Sequence, residues 1–179
     1  MKAERIAGLV LLSPKLNSDS RGSLDVIFAK GWPGVPAVQQ CNVVRSLAKV
    51  LRGMHVHSRY DEVYASIIGR MFIVLKDARR SSATFGVTMT QWIDNESANH
   101  TIVVPAGVAH GVLFATDGIL TYGLSSPWTG ANEFNCRWDD PEIGVDWPEP
   151  APLLSERDTV AGSYAEMVAA VNSDLASVT

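Results

Sequence analysis

Short apolar runs, closely spaced, fill the first two-thirds of the chain, and no long helical stripe interrupts them. Residues 6–12 form the first run and are predicted as a strand; Glu4 precedes it and no small-residue cleavage site follows, which argues against a signal peptide. Residues 26–119 are rich in further runs of β type. Residues 63–68 and 71–75 flank Gly69-Arg70, and that spacing predicts a hairpin. Residues 85–92 alternate, residues 101–104 stop at Pro105, and runs at 111–114 and 119–122 are separated by a Thr116-Asp-Gly118 turn. Many short strands without helices between them predict an all-β antiparallel sandwich or barrel. Only the C-terminus changes period. Ser163-x-x-Glu166 is a capping box, and Tyr164, Met167, Val168, Val171 and Leu175 recur at helical spacing, so an amphipathic helix is expected over 163–176 with its stripe serving core or dimer packing.

Composition narrows the function. The 179 residues are 46% hydrophobic and 19% charged, with a net charge of −4. That fits one globular domain spanning 1–179 and argues against a general nucleic-acid binder, which carries a basic face. Local arginines can still bind a small phosphorylated ligand. No apolar run approaches the length of a membrane span, and no repeat, linker or low-complexity tract appears. Cys41 and Cys136 match no metal or redox spacing and are expected to be reduced thiols of a cytoplasmic protein.

The densest chemistry lies in Gly53-Met-His55-Val-His57-Ser-Arg-Tyr-Asp-Glu62, followed by Gly69 and, later, by Pro105-x-Gly107-x-x-His110. Residues two apart on a strand share a face, so His55 and His57 point the same way. A small bend brings Glu62 to them, and the Pro-Gly turn sets His110 at the start of the next strand. Three imidazoles and one carboxylate suit Zn, Fe, Mn, Ni or Co and leave positions open for substrate. Of the chain's four histidines, only His100 falls outside this set. The other reading is a group of hydrogen-bonded polar residues lining a barrel without an ion.

This pattern resembles, ligand for ligand, the two motifs of the cupin superfamily, which implies a jelly-roll barrel. A narrower resemblance follows. Asp19-x-Arg21-Gly22, Gln40-x-Asn42, Leu51-Arg52-Gly53-Met54-His55, Asp77-x-Arg79, Pro105-x-Gly107-x-Ala109-His110-Gly111, Trp138-x-Asp140-Pro141, Trp147-Pro148 and Leu154-Ser155-x-x-Asp158 occur in order. From about residue 19 to 158 the chain resembles the dTDP-4-dehydrorhamnose 3,5-epimerase family, itself built on the cupin fold. The resemblance implies an epimerase or isomerase of a 4-keto-6-deoxy nucleotide sugar in deoxysugar, polysaccharide or natural-product biosynthesis, usually a homodimer. Carried over by position, His55 is the base that removes the proton α to the ketone, Asp158 holds it, and Tyr122 donates a proton from the opposite side. Arg52 would lie near the developing charge and His110 would be a second donor. Arg21, Gln40 and Asn42 would help to hold the nucleotide and phosphates, with Trp128 replacing a tyrosine that stacks on the base. Asp77 and Arg79 read as a structural ion pair, and Asp158 has an alternative reading as a helix cap.

Several positions depart from the family. His57 stands where a Gln is usual, Glu62 where an active-site Lys is usual, Ser23-Leu24 where an aromatic pair is usual, and Val44 where Ser is frequent. The first two changes complete the set His55, His57, Glu62 and His110. Two roles then compete for His55, because a nitrogen bound to a metal cannot also accept a proton. Either the ion polarises the keto oxygen, or His55 is the base and no ion uses it. A metal-dependent cupin of another class, such as a dioxygenase or small-molecule isomerase, is the alternative function.

Overall fold

The computed structural model describes residues 5–13, 17–94 and 101–177, and His100 lies outside them. The strands are β1 (Val10–Leu12), β2 (Asn17–Asp19), β3 (Gly22–Leu24), β4 (Gln40–Ser46), β5 (Leu51–His57), β6 (Glu62–Ile68), β7 (Arg70–Asp77), β8 (Thr88–Asp94), β9 (Thr101–Val104), β10 (Val108–Phe114), β11 (Gly118–Leu124) and β12 (Glu133–Asn135). Two helices follow, α1 (Glu156–Thr159) and α2 (Tyr164–Ala176). Two five-stranded sheets, ordered β1-β9-β6-β11-β4 and β12-β5-β10-β7-β8, form the jelly-roll, and β2-β3 stands apart as a hairpin. The named pairings within these sheets are antiparallel.

Strand β10 shows why its apolar run does not alternate with polar residues. Val108, Val112 and Phe114 belong to the core cluster that also holds Tyr64, Ile73, Leu75 and Leu120 from both sheets. Ala109 and Leu113 belong to a second cluster with Met167, Val168 and Val171 of α2. Both faces are therefore covered, one by the opposite sheet and one by the C-terminal helix. Helix α2 forms as its sequence predicts. Ser163 is its N-cap, and the reciprocal bonds with Glu166 complete the capping box. Its stripe serves the core, with Tyr164, Met167, Val168 and Val171 buried.

Two local expectations need correction. Residues 63–68 and 71–75 do not form a hairpin: β6 pairs with β9 and β11, while β7 pairs with β10 and β8. Gly69, at φ +91°, turns a corner between sheets, and Arg70 is already in register with Asp94. The predicted first strand shrinks to β1, because Gly8 adopts φ +82° and breaks the run behind Ile6.

Asp77 and Arg79 pair at 2.8 Å, as the sequence suggests, and Ser82 and Thr84 also donate to the buried Asp77 carboxylate. Burial opposes its charge, but these bonds outweigh burial and hold its pKa below the usual carboxylate value. A depressed folded-state pKa contributes stability that is full above the unfolded value of about 3.9 and is lost as pH falls through the folded value. Asp77→Asn is therefore expected to lower the Tm most near neutral pH, and by progressively less below about pH 4. Thermal unfolding across pH measures this; an unchanged difference at every pH would contradict it.

Candidate active site

A β-bulge organises one wall of the cavity between the sheets. His110 is in register with His55 but Val112 with Arg52, so three steps on β5 face two on β10. The extra residue resets the alternation. Leu51 lies in the helix-side core before the bulge, and Met54 and Val56 lie there after it. Arg52, His55 and His57 consequently all line the cavity. Gly53, at φ +130°, makes the bulge possible; a Cβ there would sit 2.6 Å from Gly111 Cα and 2.8 Å from the His110 carbonyl oxygen.

The cavity encloses about 510 Å³. Its other walls come from β6 (Glu62 and Tyr64), β10 (His110 and Val112) and β11 (Leu120, Tyr122 and Leu124). His55 and Tyr122 thus stand on opposite sheets across it.

His55 Nε2 lies 2.7 Å from Asp158 Oδ1. Asp158 is not a helix cap. Ser155 caps α1, and its hydroxyl donates to Asp158 Oδ2 at 2.9 Å. Burial works against the Asp158 charge, but bonds from His55, Ser155 and the Gly53 amide hold its pKa below the usual carboxylate value. An ionised Asp158 keeps the imidazole proton on Nε2 and leaves Nδ1 as the basic atom.

The expected four-residue metal set is not assembled as such. Ligand atoms of His57, Glu62 and His110 lie within 4.8 Å of one another, and His55, whose Nε2 bonds Asp158, is outside that group. Glu62 Oε2 is 3.0 Å from His110 Nε2 and 3.5 Å from His57 Nε2. Burial pushes the Glu62 carboxyl up to about 8, His110 down to about 3, and His57 down to about 2, the last with repulsion from His110 added.

The remaining expected residues divide. Arg52 lines the cavity, with its Nε donating to Ser46 Oγ at 3.0 Å. Asn42 is opposite Tyr122 in register, and Gln40 Nε2 donates to Asn42 Oδ1 at 3.0 Å. Burial raises the Tyr122 pKa, and Glu62 adds to the rise. Trp128 stands at the mouth, 56% exposed, with its backbone N–H donating to Gln40 Oε1 and its indole N–H to Glu133 Oε2. Arg21 does not reach this cavity. It sits in the β2–β3 turn with its side chain 88% exposed, and its guanidinium engages Asp19 at 2.6 Å.

Sequence reasoning missed Tyr60, Tyr64, Glu133 and Arg157. Tyr60 lies 2.7 Å from His57 Nδ1, and Tyr64 donates to Glu62 at 3.0 Å. Tyr64 was within reach of the strand rule, being two residues beyond Glu62 and hence on its face. Glu133 and Arg157 form an ion pair at the cavity rim, and no local spacing announces it.

Comparison with known proteins is consistent with this arrangement. Residues 3–166 match the family model for dTDP-4-dehydrorhamnose 3,5-epimerase. A dTDP-4-dehydrorhamnose 3,5-epimerase of Pseudomonas aeruginosa is 34% identical, with 93% of this chain and 97% of that protein covered. An rmlC epimerase structure from Mycobacterium tuberculosis superposes with a TM-score of 0.85 at 31% identity, covering 95% of this chain and 92% of the other. ChmJ of Streptomyces bikiniensis, a 3'-monoepimerase solved with dTDP-quinovose, gives 0.83 at 31% identity over 92% of this chain and 88% of its own. These likenesses do not favour a dioxygenase or another cupin class.

Proposed function

The chain belongs to the dTDP-4-dehydrorhamnose 3,5-epimerase family and is a carbohydrate epimerase, and we propose that His55 starts its reaction by taking a proton from the carbon next to the ketone of a 4-keto-6-deoxy nucleotide sugar. The observation that carries this reading is the 2.7 Å bond between His55 Nε2 and Asp158 in a cavity that Tyr122 faces from the other sheet. A ketone acidifies its α-hydrogen. The imidazole accepts it, and the electron pair moves into an enolate. Arg52 lines the same wall as the base and offers positive charge to the enolate oxygen. Tyr122 then returns a proton from the opposite face, which inverts the centre. Gln40 and Asn42 set the Tyr122 wall, and Trp128 offers an exposed ring at the mouth for the nucleobase.

A relative is named as acting on dTDP-4-dehydro-6-deoxyglucose, which makes that sugar nucleotide the substrate to offer first. Product NMR is expected to show an inverted ring carbon; a sugar returned unchanged at every carbon would contradict the assignment. Tyr122→Phe separates the two proton transfers. It is expected to lower epimerisation about 10²-fold while solvent deuterium still enters the substrate, because His55 can return the deuteron to the face it came from. Loss of exchange and inversion in equal measure would assign Tyr122 another task.

The proposal extends to three further features. The Glu62 cluster suits a divalent metal among Zn, Fe, Mn, Ni and Co, and a bound ion would supply Lewis acidity in the cavity. A homodimer is supported by apolar surface at Leu24, Val26 and Val43, 65%, 43% and 51% exposed. A cytoplasmic location fits the free thiols of Cys41 and Cys136. Among the described residues no helix is long and apolar enough to cross a membrane.

A further inference from the structure

We propose that His57, Glu62 and His110 form a divalent-metal site of two imidazoles and one carboxylate that is separate from the His55–Asp158 pair, so that one cavity can hold an ion and an unligated base together. The inference deepens the metal reading above and takes the role of His55 from the epimerase reading.

Geometry supports it in three ways. First, the donor atoms are spaced like ligands. Separations of 3.0 and 3.5 Å from Glu62 Oε2 to the two Nε2 atoms are what two donors adopt when each lies about 2.1 Å from a shared ion. Second, both rings are oriented from behind. His110 Nδ1 lies 3.3 Å from the Val108 carbonyl, which fixes a proton there and leaves the Nε2 lone pair facing Glu62. His57 Nδ1 lies 2.7 Å from the Tyr60 hydroxyl, which can accept its proton in the same way. Metal-bound histidines are held by this outer hydrogen bond, which sets tautomer and ring direction. The Tyr64 hydroxyl does the same for the carboxylate by donating to Glu62 Oε2 at 3.0 Å. Third, the backbone locks the ligand strands together. The Gly107 amide donates to the His57 carbonyl at 2.7 Å, tying the turn before His110 to the end of β5.

His55 cannot join on the same terms. Its Nε2 is held by Asp158, neither of its ring nitrogens lies within 4.8 Å of all three other donor atoms, and its ring stands 6.5 Å from that of His110, nearly perpendicular to it. The competition between ligand and base is thereby resolved in space. Two imidazoles and one carboxylate also leave coordination positions open toward the cavity, a donor set that accepts several first-row ions.

The test is a titration of chelator-stripped protein with Co(II), followed by visible absorption and by elemental mass spectrometry after desalting. The wild type is expected to take one Co(II) per chain. His55→Asn and Asp158→Asn should bind it equally well, with the same spectrum. Glu62→Gln and His57→Ala should lose binding, and Tyr60→Phe should weaken it about 10- to 100-fold. Circular dichroism checks that each variant is folded. If His57→Ala does not fold, Glu62→Gln and Tyr60→Phe decide. A wild type that takes no Co(II), binding that survives in folded Glu62→Gln, or binding that disappears in His55→Asn would each overturn the proposal. Deuterium exchange into dTDP-4-dehydro-6-deoxyglucose by the same preparations reports separately on the epimerase. Binding without exchange upholds the site and removes the epimerase reading; exchange without binding does the reverse.

Discussion

His55→Asn is expected to lower kcat by about 10³-fold, leaving KM within a few-fold and the Tm within a few degrees of the wild type. The choice of Asn decides what the experiment reads. The Asn amide ends about where Nδ1 sits and stops short of Asp158, but the buried carboxylate keeps its bond from the Ser155 hydroxyl at 2.9 Å. Alanine would remove more of the packing beside Asp158 and so mix a stability loss with the catalytic one. What Asn lacks is a basic lone pair. Removing a positioned general base costs roughly 10²–10⁴ in rate, and substrate contacts from Arg52 and the far sheet are untouched. Steady-state kinetics checks this. A fall confined to KM, or a kcat within tenfold of the wild type, would move the base elsewhere in the cavity.

Gly53→Ala is expected to destabilise the fold by about 3–5 kcal/mol, and the Tm by roughly 10 °C, through two effects at one atom. The backbone there sits at φ +130°, where a side chain is strained by about 1–3 kcal/mol. The added methyl would also fall 2.6 Å from Gly111 Cα and 2.8 Å from the His110 carbonyl oxygen. Both contacts are backbone, so no side chain can swing away. Relief requires β5 and β10 to separate, and that registry sets His55 against His110 and Arg52 against Val112. The Gly53 backbone also helps to hold the Asp158 pKa down. Activity of whatever folds should therefore fall too. Denaturant or thermal unfolding checks the first part. A loss under 1 kcal/mol would mean that the bulge relaxes where the structure shows it packed.

Particular residues show how much of this was legible. Period two revealed the strands and the shared face of His55 and His57. Alternation gives a residue's face but not its strand's partner, which is why the corner at Gly69 was read as a hairpin. Twofold burial of β10 hid its alternation altogether. In the site, Glu62 and His110 could be tied to the histidines by motif spacing. Asp158 lies 103 residues from His55, and only family resemblance linked them. His55, bonded to that distant carboxylate, lies outside the group of three donors within 4.8 Å of one another, and local spacing could not separate it from them. The Glu133–Arg157 pair at the rim was missed for the same reason. Arg21 has its motif in register, and in the single chain its hairpin stands away from the cavity.

The central claim is that His55 takes the proton next to a ketone. Incubating the wild type and His55→Asn with dTDP-4-dehydro-6-deoxyglucose in heavy water, and locating deuterium by NMR, tests it most directly. The account predicts deuterium at a carbon adjacent to the keto group with the wild type and at least a 10²-fold slower entry with His55→Asn. Equal entry with both proteins, or none with the wild type, would contradict it.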